Sequence, residues 1–164
     1  MKLPICALAL LSMFLALPLA AQQPDQPKYF VWLGMGANGF DNAALSGIGG
    51  FGYRIGDGLY GLTNIITTSK RSTLSESLIK YVTQQGPVTL FALGEIGIST
   101  GEGTAQSSYG AGGGIMLDVL KRISSKIQNL QVIGVVKIVR TPDLGPNVVK
   151  PQFVGGVVYL FGGK

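Results

Sequence analysis

Few side chains in this 164-residue sequence could carry chemistry. It contains no histidine, and its single cysteine is Cys6. The commonest general base and the commonest metal ligand are therefore missing, and no disulfide can form within the chain. Five charged residues, Arg54, Lys80, Glu95, Asp118 and Lys137, lie in segments of alternating polarity. Glu95 and Asp118 are a candidate carboxylate pair for acid–base chemistry, but nothing in the sequence supplies a substrate pocket or a second polar shell around them. No enzymatic activity, cofactor or metal site is expected.

One motif has the spacing of a cofactor site. Gly34-Met35-Gly36-Ala37-Asn38-Gly39 matches the dinucleotide fingerprint G-x-G-x-x-G, which requires a helix starting at its end to offer its N-terminus to a pyrophosphate. The residues that follow are rich in glycine and have no helical period, so a strand and turn are the better reading and no nucleotide is expected. A nucleic-acid partner is also not expected. The net charge of +5 is modest and only 13% of residues are charged, whereas nucleic acid selects a clustered basic face.

The elements that would position the five charges begin after an export signal. Residues 1–21 open with Lys2, run through an apolar core and close on Ala20 and Ala21, the layout of a cleavable secretory signal with Ala21 at the cut. The apolar core is too short to span a bilayer as a helix. Residues 22–27 form a short polar linker, and residues 28–164, about 140 in number, suffice for one domain. Export machinery is thus an expected partner, with the outer membrane, the periplasm or the exterior as the destination.

Within residues 28–164, period-two alternation dominates, and β-branched and aromatic residues are frequent. Eight strands are predicted, over residues 28–38, 44–56, 58–69, 73–84, 88–99, 106–120, 128–139 and 148–161. Each has the length a tilted strand needs to cross a membrane. Turn signals separate them, including Gly56-Asp57-Gly58 and Gln85-Gly86-Pro87. Residues 117–130 admit a second reading, a short amphipathic helix, because Leu117, Leu120, Ile123, Ile127 and Leu130 fall at helical spacing.

Splitting the strands by parity gives a charge-free face, with Val31, Leu33, Met35, Phe51, Ile79, Ile96, Val136, Ile138, Phe153 and Val157 among its members. Tyr29, Tyr53, Tyr81, Tyr109, Tyr159 and Phe161 lie near strand ends on that same face. The opposite face carries the five charges, apolar residues such as Phe30, Trp32 and Phe91, and many of the 25 glycines. A soluble barrel or sandwich would turn the clean face inward; a transmembrane barrel would turn it to lipid. Three features favour the membrane. Glycine relieves crowding inside a narrow eight-stranded barrel but only weakens a solvent face. Large apolar residues on the mixed face pack in a lumen but would form exposed patches in water. The six aromatics suit an interfacial girdle. The fold class expected is all-β, an eight-stranded antiparallel up-and-down transmembrane β-barrel after a cleaved signal peptide. A soluble exported barrel that binds a small apolar ligand is the alternative.

In that barrel the five charges enter one lumen, where they must pair or be hydrated. An internal ion-pair cluster is expected, with simple solvation at the rims as the other reading. Outer-membrane lipid is the expected surround, and Lys70, Arg71, Lys121, Arg122 and Lys126 fall at loop ends where they meet either water or anionic headgroups.

Residues 28–164 resemble the small eight-stranded bacterial outer-membrane barrels of the OmpA and OmpX type. Gly156, Tyr159 and Phe161, spaced as Gly-x-x-aromatic-x-aromatic in the last strand, are similar to that family's terminal sorting signal. This chain continues past the aromatic through Gly162, Gly163 and Lys164, where family members commonly stop. The resemblance implies a non-enzymatic envelope-structural or surface-interaction protein, at most a narrow pore, delivered by the outer-membrane assembly machinery.

Overall fold

The structure, a computed structural model, describes residues 27–38, 44–101, 104–118, 129–140 and 149–162. The signal segment with Ala21, nearly all of the linker, and most of the 117–130 region whose strand or helix reading was open lie outside the described residues.

Eight strands follow one another: β1 (Tyr29–Asn38), β2 (Ala44–Gly56), β3 (Leu59–Thr67), β4 (Ser72–Gln85), β5 (Val88–Gly101), β6 (Thr104–Leu117), β7 (Leu130–Arg140) and β8 (Lys150–Phe161). Two-residue hairpins join β2 to β3 and β4 to β5. Gly58 and Gly86 stand there at φ of 62° and 57°, a region that side chains with a Cβ enter only with strain. Every strand pairs antiparallel with its chain neighbour, and β8 returns to β1, with Gly156 opposite Gly34 and Phe161 opposite Tyr29. Closure leaves no sheet edge.

The register fixes the shape of the barrel. Cross-strand partners lead from Leu130 through Tyr159, Val31, Phe51, Thr63, Glu76, Ile96 and Tyr109 back to β7 at Arg140, ten residues beyond the start. With about 3.3 Å per residue and about 4.8 Å between strands, a stagger of ten over eight strands tilts them by roughly 40°. The same geometry separates Leu130 from Arg140 by about 25 Å along the axis, each strand-to-strand step climbing about 3 Å. All members of this row point outward, so it serves as a depth gauge for the outer wall.

The outer wall is apolar. Leu33, Met35, Leu45 and Ile96 are among its most exposed residues, Ile96 at 70%, and the apolar band spans about the 25 Å height typical of membrane barrels. At the end where β1 begins and β8 finishes, called the terminal end below, the rings of Tyr29, Phe51, Tyr159 and Phe161 form a stacked row across β2, β1 and β8, with centroids 5.7–6.3 Å apart. Tyr53 lies exposed beside them. Tyr109 stands nearer the opposite end, under the guanidinium of Arg140 at 5.4 Å.

Strand β4 has the opposite facing from the one expected. Ser75, Ser77, Ile79 and Tyr81 point inward, whereas Leu74, Glu76, Leu78 and Val82 point outward. Lys80 shares the outward parity: it pairs with Leu59 and Ala92, while neighbouring Ile79 pairs with lumenal Tyr60 and Leu93. Lys80 is nevertheless buried, so the charge that β4 exposes on the lipid-side face is Glu76, and Tyr81 does not belong to the aromatic girdle. The physical reason is that β4 is apolar on both parities, so its charges were a poor guide. Packing decides instead, through Tyr81 against Tyr60 at 4.9 Å between centroids.

Candidate functional site

The lumen is filled in layers. At the terminal end Phe30, Tyr60 and Tyr81 form an aromatic floor, with Tyr60 fully buried and its ring 5.7 Å from that of Phe30. Above it pack Trp32, Leu62, Ile79, Phe91, Leu93, Met116, Ile133 and Val158. Glycine on the inner face makes this filling possible. A Cβ at Gly50 would come within 2.5 Å of Trp32 Nε1, and those at Gly52 and Gly114 would run into the rings of Phe30 and Phe91. The side chains leave a cavity of about 30 Å³, room for a water or two.

Polar groups cross the middle of this filling as one hydrogen-bonded chain. Trp32 Nε1 donates to Asn64 Oδ1 at 2.8 Å, Asn64 Nδ2 donates to Ser77 Oγ at 3.0 Å, and Ser77 Oγ donates to Glu95 Oε2 at 3.4 Å. From the other side Lys137 Nζ donates to the same carboxylate oxygen at 2.6 Å. Five strands, β1, β3, β4, β5 and β7, are thereby tied together across the lumen. Burying two charges is costly unless they are paired and hydrogen-bonded, and here the pairing is direct, with both side chains 6% exposed.

Glu95 and Lys137 lie on strands that are not neighbours, so β6 must let them meet. It does so with glycine. Gly110 lies opposite Glu95 and Gly112 opposite Lys137, and a Cβ at Gly112 would come within 2.6 Å of Lys137 Cβ. The two long side chains reach each other over this bare stretch of β6.

Beyond the ion pair, away from the terminal end, small polar groups join Ile48, Ile66 and Val139 in the lining. Ser46, Ser75, Ser99, Ser108 and Gln152 are buried there. Ser46 Oγ donates to the Gly36 carbonyl at 3.3 Å. The hydroxyls of Ser75 and Ser108 find no hydrogen-bond partner among the described residues, so this half of the lumen is the part suited to water.

The other three charges expected in one cluster lie elsewhere. Arg54 is exposed at the terminal end of β2, where its backbone N–H donates to the Lys28 carbonyl. Asp118 follows the end of β6, its N–H donating to the Pro87 carbonyl in the β4–β5 turn. Lys80 sends its Nζ to the Asp57 carbonyl of the β2–β3 turn at 2.9 Å. The lumenal pair is thus Glu95 with Lys137. Ser77 was missed as its link to Asn64 because β4 was faced the wrong way. In the last strand, Gly156 packs inward against the backbone of Leu33 and Gly34, while Tyr159 and Phe161 face outward at the β1 seam. The fingerprint glycines Gly34 and Gly36 sit within β1, with no helix after them among the described residues.

No family model matches the chain, and no curated protein matches it significantly. Solved structures do. A de novo designed transmembrane β-barrel aligns at a TM-score of 0.60 and 17% identity, covering 85% of this chain and 98% of its own. The crystal structure of Neisserial surface protein A aligns at 0.60 and 15%, covering 82% and 97%. The solution structure of the designed barrel TMB2.3 aligns at 0.58 and 15%, covering 87% and 99%. At such identities the likeness concerns the fold, and the fold is that of an eight-stranded antiparallel transmembrane β-barrel.

Proposed function

We propose that this chain is a non-enzymatic integral outer-membrane barrel, with an envelope-structural or surface-interaction role and no bulk transport. The observation that carries this reading is the contrast between its two faces. The wall outside is an apolar band about 25 Å tall, and the lumen inside is closed by an aromatic floor and the Glu95–Lys137 pair. A soluble barrel that holds an apolar ligand needs the reverse, an apolar interior with space in it, and the cavity here is only about 30 Å³. The resemblance of the Gly156, Tyr159 and Phe161 spacing to a sorting signal supports delivery by the outer-membrane assembly machinery. The two-residue hairpins at the terminal end suit the side where outer-membrane barrels carry their short turns.

The test is conductance. Purified protein in a planar lipid bilayer should insert and give no large open level, at most small, brief steps. Steady conductance of general-porin size would contradict the closed lumen.

A further inference from the structure

Glu76 stands on the outer wall in a place where a carboxylate is costly. On the outward row it lies five steps above Leu130, about 16 Å up a band about 25 Å tall. Exposed apolar side chains surround it: Ile65, Leu74, Leu78 and Ile96. Thr63 on β3, its direct cross-strand partner, donates its hydroxyl to Oε1 at 2.7 Å. Among the described residues no second donor reaches the carboxylate. The nearest cation on the same strand face, Lys80, is turned to the Asp57 carbonyl, and Arg140 sits about 9 Å higher on the row. Hydrocarbon supplies no hydrogen bonds, so ionisable groups at this depth are rare and are matched by another polar group of protein.

We propose that the β3–β4–β5 face is the contact between two copies of this chain in the membrane, centred on Glu76. The inference rests on the membrane reading above. A two-fold axis along the membrane normal brings identical residues to identical depth. The second oxygen of each Glu76 then faces that of its partner across the axis, so that the two carboxyl groups hydrogen-bond to each other, while each Oε1 keeps its Thr63 hydroxyl. The surrounding leucine and isoleucine side chains close over the polar centre, as apolar residues do around polar contacts in membrane interfaces. A copy of the same chain is the occupant favoured because it presents this hydrogen-bonding group at the required height, in a matching apolar frame.

The experiment uses the full chain carrying Cys6→Ser, purified and reconstituted in phosphatidylcholine vesicles. Leu78→Cys places a thiol beside Glu76, and Val157→Cys places one on the opposite wall at similar depth. A membrane-permeant bismaleimide should link Leu78→Cys into dimers at least tenfold more than Val157→Cys. Adding Glu76→Leu should bring linkage down to the Val157→Cys level, whereas Glu76→Gln, which offers both a donor and an acceptor, should retain most of it. A heat-modifiable band confirms folding for each variant. Should Glu76→Leu lack that band, Thr63→Val must lower the dimer instead. Equal linkage at the two positions, or linkage indifferent to Glu76→Leu and Thr63→Val, overturns the proposal, as does a lipid-embedded protein that remains monomeric or links only to a different protein in native membranes. A chain that stays folded without lipid or detergent contradicts the membrane reading itself, a separate failure.

Discussion

Lys137 Nζ lies 2.6 Å from Glu95 Oε2 across the lumen, joining strands β7 and β5 over the glycines of β6. The pair is buried, so each charge depends on the other. Removing one partner leaves an uncompensated ion in a closed interior, which costs about 3–5 kcal/mol, whereas replacing both by apolar groups of similar volume is often near neutral. Lys137→Met and Glu95→Leu should each destabilise the barrel by about that amount, and the double variant by clearly less than their sum. Urea unfolding in lipid vesicles measures it; additive losses would show that the two groups do not act as a pair.

The inner glycines give a sharper steric prediction. At Gly50 a Cβ would lie 2.5 Å from Trp32 Nε1, 2.6 Å from Asn64 Oδ1 and 2.7 Å from the Thr63 carbonyl, whereas at Gly47 nothing lies within 4 Å. Gly50→Ala should cost about 1–3 kcal/mol through overpacking. Gly47→Ala should be neutral or stabilising by about 0.4–1 kcal/mol, because it restricts the unfolded chain. Equal unfolding midpoints for the two variants would contradict the packed lumen.

The facing of β4 can be read by lipid contact. In a Trp32→Phe background, tryptophan placed at Tyr81 should be shielded from brominated lipids and tryptophan placed at Tyr159 strongly quenched. Quenching at both positions would return Tyr81 to the outer girdle.

Opening the floor should change transport. Phe30→Ala with Tyr60→Ala removes two of the three rings of the floor, and it should raise single-channel conductance well above that of the parent chain. An unchanged conductance would place the barrier elsewhere, either in the Glu95–Lys137 layer or in the loops.

The strand pattern was legible because alternation and glycine turns are local signals. All eight strands lie within a few residues of their predicted bounds, and the outward facing of β1, β2, β5, β7 and β8 follows from Leu33, Phe51, Ile96, Val136 and Val157. Strand β4 was not legible by that route. It offers Leu74, Leu78 and Val82 on one parity and Ile79 and Tyr81 on the other, and a one-residue shift exchanges every side chain between faces. What sets its facing is long-range, the contact of Tyr81 with Tyr60 and the pairing of Lys80 with Leu59. The meeting of Glu95 with Lys137 is also long-range, 42 residues apart in the chain. A local signal for it existed in Gly110 and Gly112, which mark where two side chains pass over a strand. Glu76 was overlooked because the wall was read as uniformly apolar, although its outward parity follows once β4 is faced correctly.

The central claim is a closed barrel that belongs in a membrane, and electrophoretic mobility tests it most directly. Protein refolded in detergent should run at one position unboiled and at another after boiling, and should precipitate or unfold when detergent is withdrawn. A monomer that remains folded and soluble without detergent, with the same mobility before and after boiling, would contradict it.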